Sequence, residues 1–128
     1  MYQYRGKVIS LYDADTITVE FDLGFKVKFT EKCRLYGIDT PELKPRGVKD
    51  PIKKEKEKDL AQEAKQFVQA VILGKEFMFQ TYRNDKKGKF GRYLIEVLLK
   101  DEIGTLNALL IQQGYAKPYH GEKKEPWF

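Results

Sequence analysis

Between Ile17 and Phe29 apolar and polar residues alternate: Ile17, Val19 and Phe21 are followed by Phe25, Val27 and Phe29, with Lys26 and Lys28 between them. A two-residue period puts the apolar side chains of a strand on one face, so both segments read as half-buried strands. They are expected to form a hairpin. Folding about Leu23 pairs Phe21 with Phe25, Val19 with Val27 and Ile17 with Phe29, and leaves Gly24 in a three-residue loop that wants a positive φ. That register sets Asp15 opposite Glu31, with Arg34 only about 10 Å further along the partner strand, or nearer with a bulge. Asp15 and Arg34 are therefore expected to be neighbours in space.

The rest of the chain punctuates clearly. The run from Tyr4 to Tyr12 is strand-like and is broken by a turn at Asp13-Ala14-Asp15. From Ile38 to Asp59 three prolines and dense charge predict a loop that no central strand could accommodate. A helix is then expected, capped or started by Asp59, with Leu60, Ala64, Phe67, Val68, Val71 and Ile72 on one face and Gly74 at its end. Phe77 to Tyr82 and Tyr93 to Leu99 read as strands. A second helix runs from a Thr105 cap through Leu106, Leu109 and Leu110 to Gly114. The tail from Lys117, with Pro118 and Pro126, shows no periodicity, and the chain has no internal repeat. The order β-β-β-α-β-β-α predicts a mainly β protein with helices, a five-stranded closed Greek-key barrel of the oligonucleotide/oligosaccharide-binding type, or OB-fold.

Composition narrows the function. A chain of 128 residues corresponds to one domain, expected over 1–128, and 41% hydrophobic residues with 13% aromatics are too many for a disordered chain. No apolar run approaches the ~20 residues that a membrane span needs, so no membrane partner is expected. Cys33 is the sole cysteine and His120 the sole histidine, which excludes an internal disulfide and a Cys/His zinc cluster. The first 25 residues hold no apolar stretch of secretory type, which leaves a cytoplasmic protein or a secreted form without its leader. Net charge is +5, but its placement says more: residues 44–58 hold seven Lys/Arg against three acids, and residues 83–92 five against one. Two basic loops on an otherwise slightly acidic body fit either solvated surface or a footprint for nucleic acid.

Four pieces could carry chemistry: Asp13-Ala14-Asp15-Thr16, the segment from Arg34 to Glu42 (RLYGIDTPE), Phe90-Gly91-Arg92, and Asn107-Ala108-Leu109-Leu110 leading to Gly114-Tyr115-Ala116. Together they closely resemble the staphylococcal nuclease family, in the family's order, over about residues 4–119; residues 120–128 form a tail outside the motif set. The nine residues from Arg34 to Glu42 are the specific part. The resemblance implies an OB-fold barrel with helices and Ca2+-dependent hydrolysis of DNA and RNA to 5′-hydroxyl and 3′-phosphate ends, by a domain expected to be a monomer.

Residue by residue, the resemblance implies that Asp15 and Asp39 supply carboxylates to Ca2+ and that Thr40 adds its backbone carbonyl. Hard oxygen ligands suit a hard cation, and a set this small leaves positions for water and a phosphate oxygen. Taken singly, Asp13 and Asp15 would be turn aspartates and Asp39 a turn cap before Pro41. Arg34 and Arg92 match the family's phosphate-binding arginines, whose planar fork bonds two oxygens at once; the plainer alternatives are a cross-strand partner of Glu31 or Glu20 for Arg34 and a strand-end surface residue for Arg92. Glu42 matches the residue assigned as general base or water-ordering group, and is otherwise a solvated loop acid. Tyr115 and Tyr119 could stack on bases or belong to the core, and His120 reads as a surface residue. Three positions depart from the pattern. Ala14 stands for a glycine, which implies a turn with no left-handed residue there; Gly88 replaces an aspartate and Phe90 a phosphate-contacting tyrosine, which bears on nucleotide affinity. The alternative function is a non-catalytic OB module that only binds nucleic acid, but such modules lose the carboxylates or arginines retained here; a protein-interaction barrel would have no use for this residue set.

Overall fold

A computed structural model of the chain describes residues 2–82, 93–99 and 104–128. Five strands, β1 (Gln3–Asp13), β2 (Thr16–Asp22), β3 (Lys28–Leu35), β5 (Glu76–Tyr82) and β6 (Tyr93–Leu98), close a barrel in the order β1-β2-β3-β6-β5. A two-residue strand, β4 (Ile38–Asp39), pairs outside the barrel with β7 (Lys117–Pro118). The helices are α1 (Pro51–Ile72) and α2 (Leu106–Gln112). The pairing of β3 with β6 is parallel and all other barrel pairings are antiparallel, which gives the OB-like topology expected from the element order. Among the described residues no helix is long and apolar enough to cross a membrane.

The barrel interior is filled by Val8, Ile17, Val19, Leu35, Phe79, Ile95 and Val97, and α2 closes one end with Leu106 and Leu110, all buried. Gly6 makes the tight wall possible: a Cβ there would lie 2.8 Å from Val19 Cγ1 and 3.0 Å from the Glu20 carbonyl. Cys33 lies in the same core, and burial, with the Glu31 charge as the smaller cause, pushes its thiol up to about 12. It is a packing residue.

The hairpin forms, but in a different register. Phe21 faces Phe29 and Val19 faces Glu31, so each partner lies four residues beyond the expected one. Alternation fixes the face of a strand, while the turn fixes which residues meet. Here Leu23 N–H donates to Val27 O and Val27 N–H to Gly24 O, and Gly24, Phe25 and Lys26 all have positive φ (81°, 52° and 64°). Asp22 staples this longer turn by accepting from Gly24 N–H at 2.9 Å and pairing with Lys28 at 3.4 Å. Phe25 is consequently fully exposed and Val27 half-exposed rather than paired in the sheet. A shift of four preserves side-chain parity, and it brings Arg34 directly opposite Thr16.

The first helix also begins earlier than expected. Asp50, not Asp59, is its N-cap and accepts from Ile52 N–H at 2.9 Å, with Pro51 in the first helical position where its missing N–H costs nothing. Nine residues of the expected loop are therefore helical. The second helix starts as read, with Thr105 Oγ1 accepting from Ala108 N–H at 3.1 Å.

Asn107 ties the helix to the barrel. Its buried carboxamide donates to Tyr36 O at 2.9 Å and Ile95 O at 3.2 Å, and accepts from Val97 N–H at 3.3 Å. Asn107→Ala would remove the carboxamide that Tyr36 O and Val97 N–H bond to and should cost about 3 kcal/mol, read as a lower midpoint in denaturant unfolding.

Candidate active site

Two structural irregularities aim the site. A bulge in β1 between Leu11 and Asp13 makes Asp13 pair with Thr16, and the turn swings Asp15 inward. Neither Asp13 nor Ala14 nor Asp15 has a positive φ, in keeping with alanine at the middle position. On the other side Gly37, at φ 78°, turns the chain from β3 into β4, and its carbonyl accepts from Tyr119 N–H at 2.8 Å. This turn carries Asp39 and Thr40 to Asp15.

Four sequence-predicted residues, Asp15, Arg34, Asp39 and Thr40, meet here. Arg34 Nη2 stands 3.8 Å from Asp15 Oδ2 and 3.5 Å from Asp39 Oδ1. Both carboxylates are buried, whereas the guanidinium side chain is about a quarter exposed. Thr40 N–H donates to Asp15 Oδ2 at 3.4 Å, and Asp15 Oδ1 accepts from Thr16 Oγ1 at 3.2 Å. Thr40 is buried and its Oγ1 has no hydrogen-bond partner among the described residues. Thus Arg34 pairs with the two aspartates rather than with Glu31 or Glu20. Its cation also lies 5.5 Å from the Tyr119 ring centroid. Tyr115 packs instead on Phe67, with ring centroids 5.3 Å apart, and His120 is exposed beside Tyr36.

Glu42 is exposed at the start of the next loop and lines a cleft together with Asp39. Its backbone N–H donates to Glu57 Oε2 at 2.9 Å. Arg92, with Gly88, Phe90 and Gly91, lies outside the described residues, as does the second basic segment.

The site includes residues that the motifs did not single out. Glu57 is buried on α1 in a stripe with Ala61, Ala64, Val68 and Ile72, a spacing that extends the recognised apolar face one turn upstream into the charge run. Lys124, from the tail, places Nζ 3.0 Å from Asp39 Oδ1, and no periodicity marks it. A cleft of about 320 Å³ opens beside Asp39 and Glu42, walled by Arg46 and Val48 on one side and by Lys124 and Trp127 on the other.

Asp13 stands behind Asp15 and accepts from its backbone N–H at 3.3 Å. Burial, then a side-chain hydrogen bond and charge repulsion from Asp15, push its carboxyl from the ordinary 3.8 up to about 7. The folded chain thus favours protonated Asp13; that contribution to stability is complete below about pH 4 and is lost as pH rises through about 7. Metal-free protein should melt at a lower temperature at pH 8 than at pH 5, and the difference should shrink in Asp13→Asn, as followed by thermal circular dichroism.

The uncharacterized protein MJ1439 of Methanocaldococcus jannaschii is 31% identical over 129 aligned positions, which cover 91% of this chain. The alignment covers 59% of that relative's length, so the chain corresponds to little more than half of it. The family model described as staphylococcal nuclease homologue matches residues 32–126, a stretch that contains Arg34, Asp39, Thr40, Glu42 and Lys124. With the closed five-stranded barrel, that match across most of the chain makes it a member of the staphylococcal nuclease homologue family.

Proposed function

We propose that this chain is a nuclease domain, acting as a monomer, that hydrolyses phosphodiester bonds of DNA and RNA with little sequence preference, requires Ca2+, and leaves 5′-hydroxyl and 3′-phosphate ends. The observation that carries the reading is the convergence of two buried carboxylates, Asp15 and Asp39, on the guanidinium of Arg34. The donor chemistry fits Ca2+. Both carboxylates are hard ligands, and the Oγ1 of the neighbouring buried Thr40 has no partner among the described residues. Among the described residues no group of three or more Asp, Glu, His or Cys side chains is placed to hold a metal, so carbonyl oxygen, water and substrate phosphate would complete the ligand set. When bound, the cation would polarise a phosphate oxygen and offset negative charge near the attacked phosphorus.

The remaining work falls to side chains. Arg34 is fixed between the carboxylates and the Tyr119 ring with part of its fork open to solvent, where it can bond phosphate oxygens and stabilise the charge that grows on them. Glu42 is exposed, and its backbone is held to Glu57, so its carboxylate is free to order a water molecule and take its proton. Arg92 is assigned the second phosphate contact.

Labelled single-stranded DNA should be nicked and degraded with Ca2+ and left intact with EGTA. DNA binding without cleavage under both conditions would favour a non-catalytic module. Arg34→Lys keeps the charge but loses the fork, and should lower turnover ~100-fold or more with an unchanged melting temperature. Near-normal turnover would remove Arg34 from the mechanism.

A further inference from the structure

Asp39 Oδ1 has two cationic neighbours of different character. Arg34 also reaches Asp15 and lies over an aromatic ring, so it is held from several sides. Lys124 has Asp39, at 3.0 Å, as its sole ion-pair partner among the described residues, from a side chain that is 41% exposed and shares the Tyr119 ring with Arg34. Calcium–oxygen distances are about 2.3–2.6 Å, so an ammonium this close occupies much of the approach to that oxygen. Two cations in front of one carboxylate oxygen repel each other. Lys124 is the replaceable one.

The segment that carries Lys124 is docked as a unit. Lys117 Nζ donates to Pro126 O at 3.1 Å and lies 4.4 Å from the centre of the Trp127 ring, while Lys124 Nζ lies 5.3 Å from the Tyr119 ring. Glu125, Pro126 and Trp127 form one wall of the cleft whose other wall includes Pro45 and Val48. Moving Lys124 off Asp39 therefore disturbs the surroundings of Trp127, the sole tryptophan of the chain.

We infer that Lys124 is an intramolecular counter-cation that holds Asp39 in the metal-free protein and competes with the divalent cation for it. The inference rests on the metal site proposed above. It gives the lysine two positions: on Asp39 when no cation is bound, and released toward the phosphate side of the cleft when one is. Cation binding in the absence of nucleotide is weakened by the exchange. A bound phosphate offers the displaced ammonium a new partner, so the penalty falls when substrate is present.

Calorimetric titration of CaCl2 into metal-free wild type, Lys124→Ala and Lys124→Gln, with Trp127 emission followed in parallel, tests this. Both variants should bind Ca2+ about fivefold more tightly than wild type, the loss expected for one partly exposed ion pair. Lys123→Ala removes the same charge one residue away and should leave the affinity unchanged. Wild-type Trp127 emission should change with the calorimetric midpoint. Equal Ca2+ affinity in wild type and both Lys124 variants would overturn the inference while leaving the metal site standing, as would an equal gain in Lys123→Ala. Absence of Ca2+ binding in all of them, even with a nucleoside 3′,5′-bisphosphate, would overturn the metal site and the inference together.

Discussion

Two carboxylates buried beside each other repel, and burial removes the water that would otherwise screen them. Asp15 and Asp39 are held in this arrangement by separate elements, the β1–β2 turn and β4, and positive charge beside them offsets the repulsion. Arg34 supplies it from β3, and Lys124 from the far end of the chain. Asp13 responds differently: buried, with Asp15 beside it and no paired cation among the described residues, it favours the protonated form. On the proposed reading, a cation or phosphate that enters this set of compensated charges exchanges with a partner already there.

That exchange needs a frame that does not yield. Asn107 bonds the backbone of Tyr36, one residue before the Gly37 turn, and Tyr36 N–H in turn donates to Ile95 O at 2.8 Å. The Tyr36 ring stacks on Tyr82 at 3.9 Å, and the Tyr82 hydroxyl is hydrogen-bonded to Glu96. The strand that leads into Asp39 is thus anchored to α2, β5 and β6. On the opposite side, Leu35 N–H donates to Asp15 O at 2.9 Å, which joins the first turn to β3. Asp15 is positioned by backbone hydrogen bonds of the barrel and Asp39 by the β4–β7 pairing beside it, while Glu42 and Lys124 sit on segments beyond these pairings. The rigid groups are those that would ligate or neutralise, and the adaptable ones are those that would move protons or leave.

The barrel order was legible because strand spacing is carried by the sequence; the nearness of Asp15 to Arg34 was expected from a hairpin register four residues off, and the observed register brings the two closer still. Register was not legible, because it depends on three successive left-handed residues, two of them Phe25 and Lys26, which have no glycine-like signature. The start of α1 was obscured by its own composition. Lysine and glutamate are good helix formers, yet a run of them beside prolines resembles a loop unless the Asp50-Pro51 pair is read as cap and first turn. Glu57 was hidden for the same reason, although its spacing from Ala61 and Ala64 points inward. Lys124 follows from no local rule. Its contact with Asp39 depends on how β7 lays the tail back against β4, a long-range pairing of two residues with two.

Cys33 stands in the middle of β3, wholly enclosed, with its thiol held far from ionisation. As the lone cysteine of the chain it closes no loop, and without thiolate character it is a poor target for oxidants or for exchange with other disulfides. The stability of this barrel therefore owes nothing to the redox poise of its surroundings. A cysteine introduced at an exposed position, such as the tip at Phe25 or the tail, would be the sole reactive thiol on the native surface, and the core would stay silent while the tail is watched.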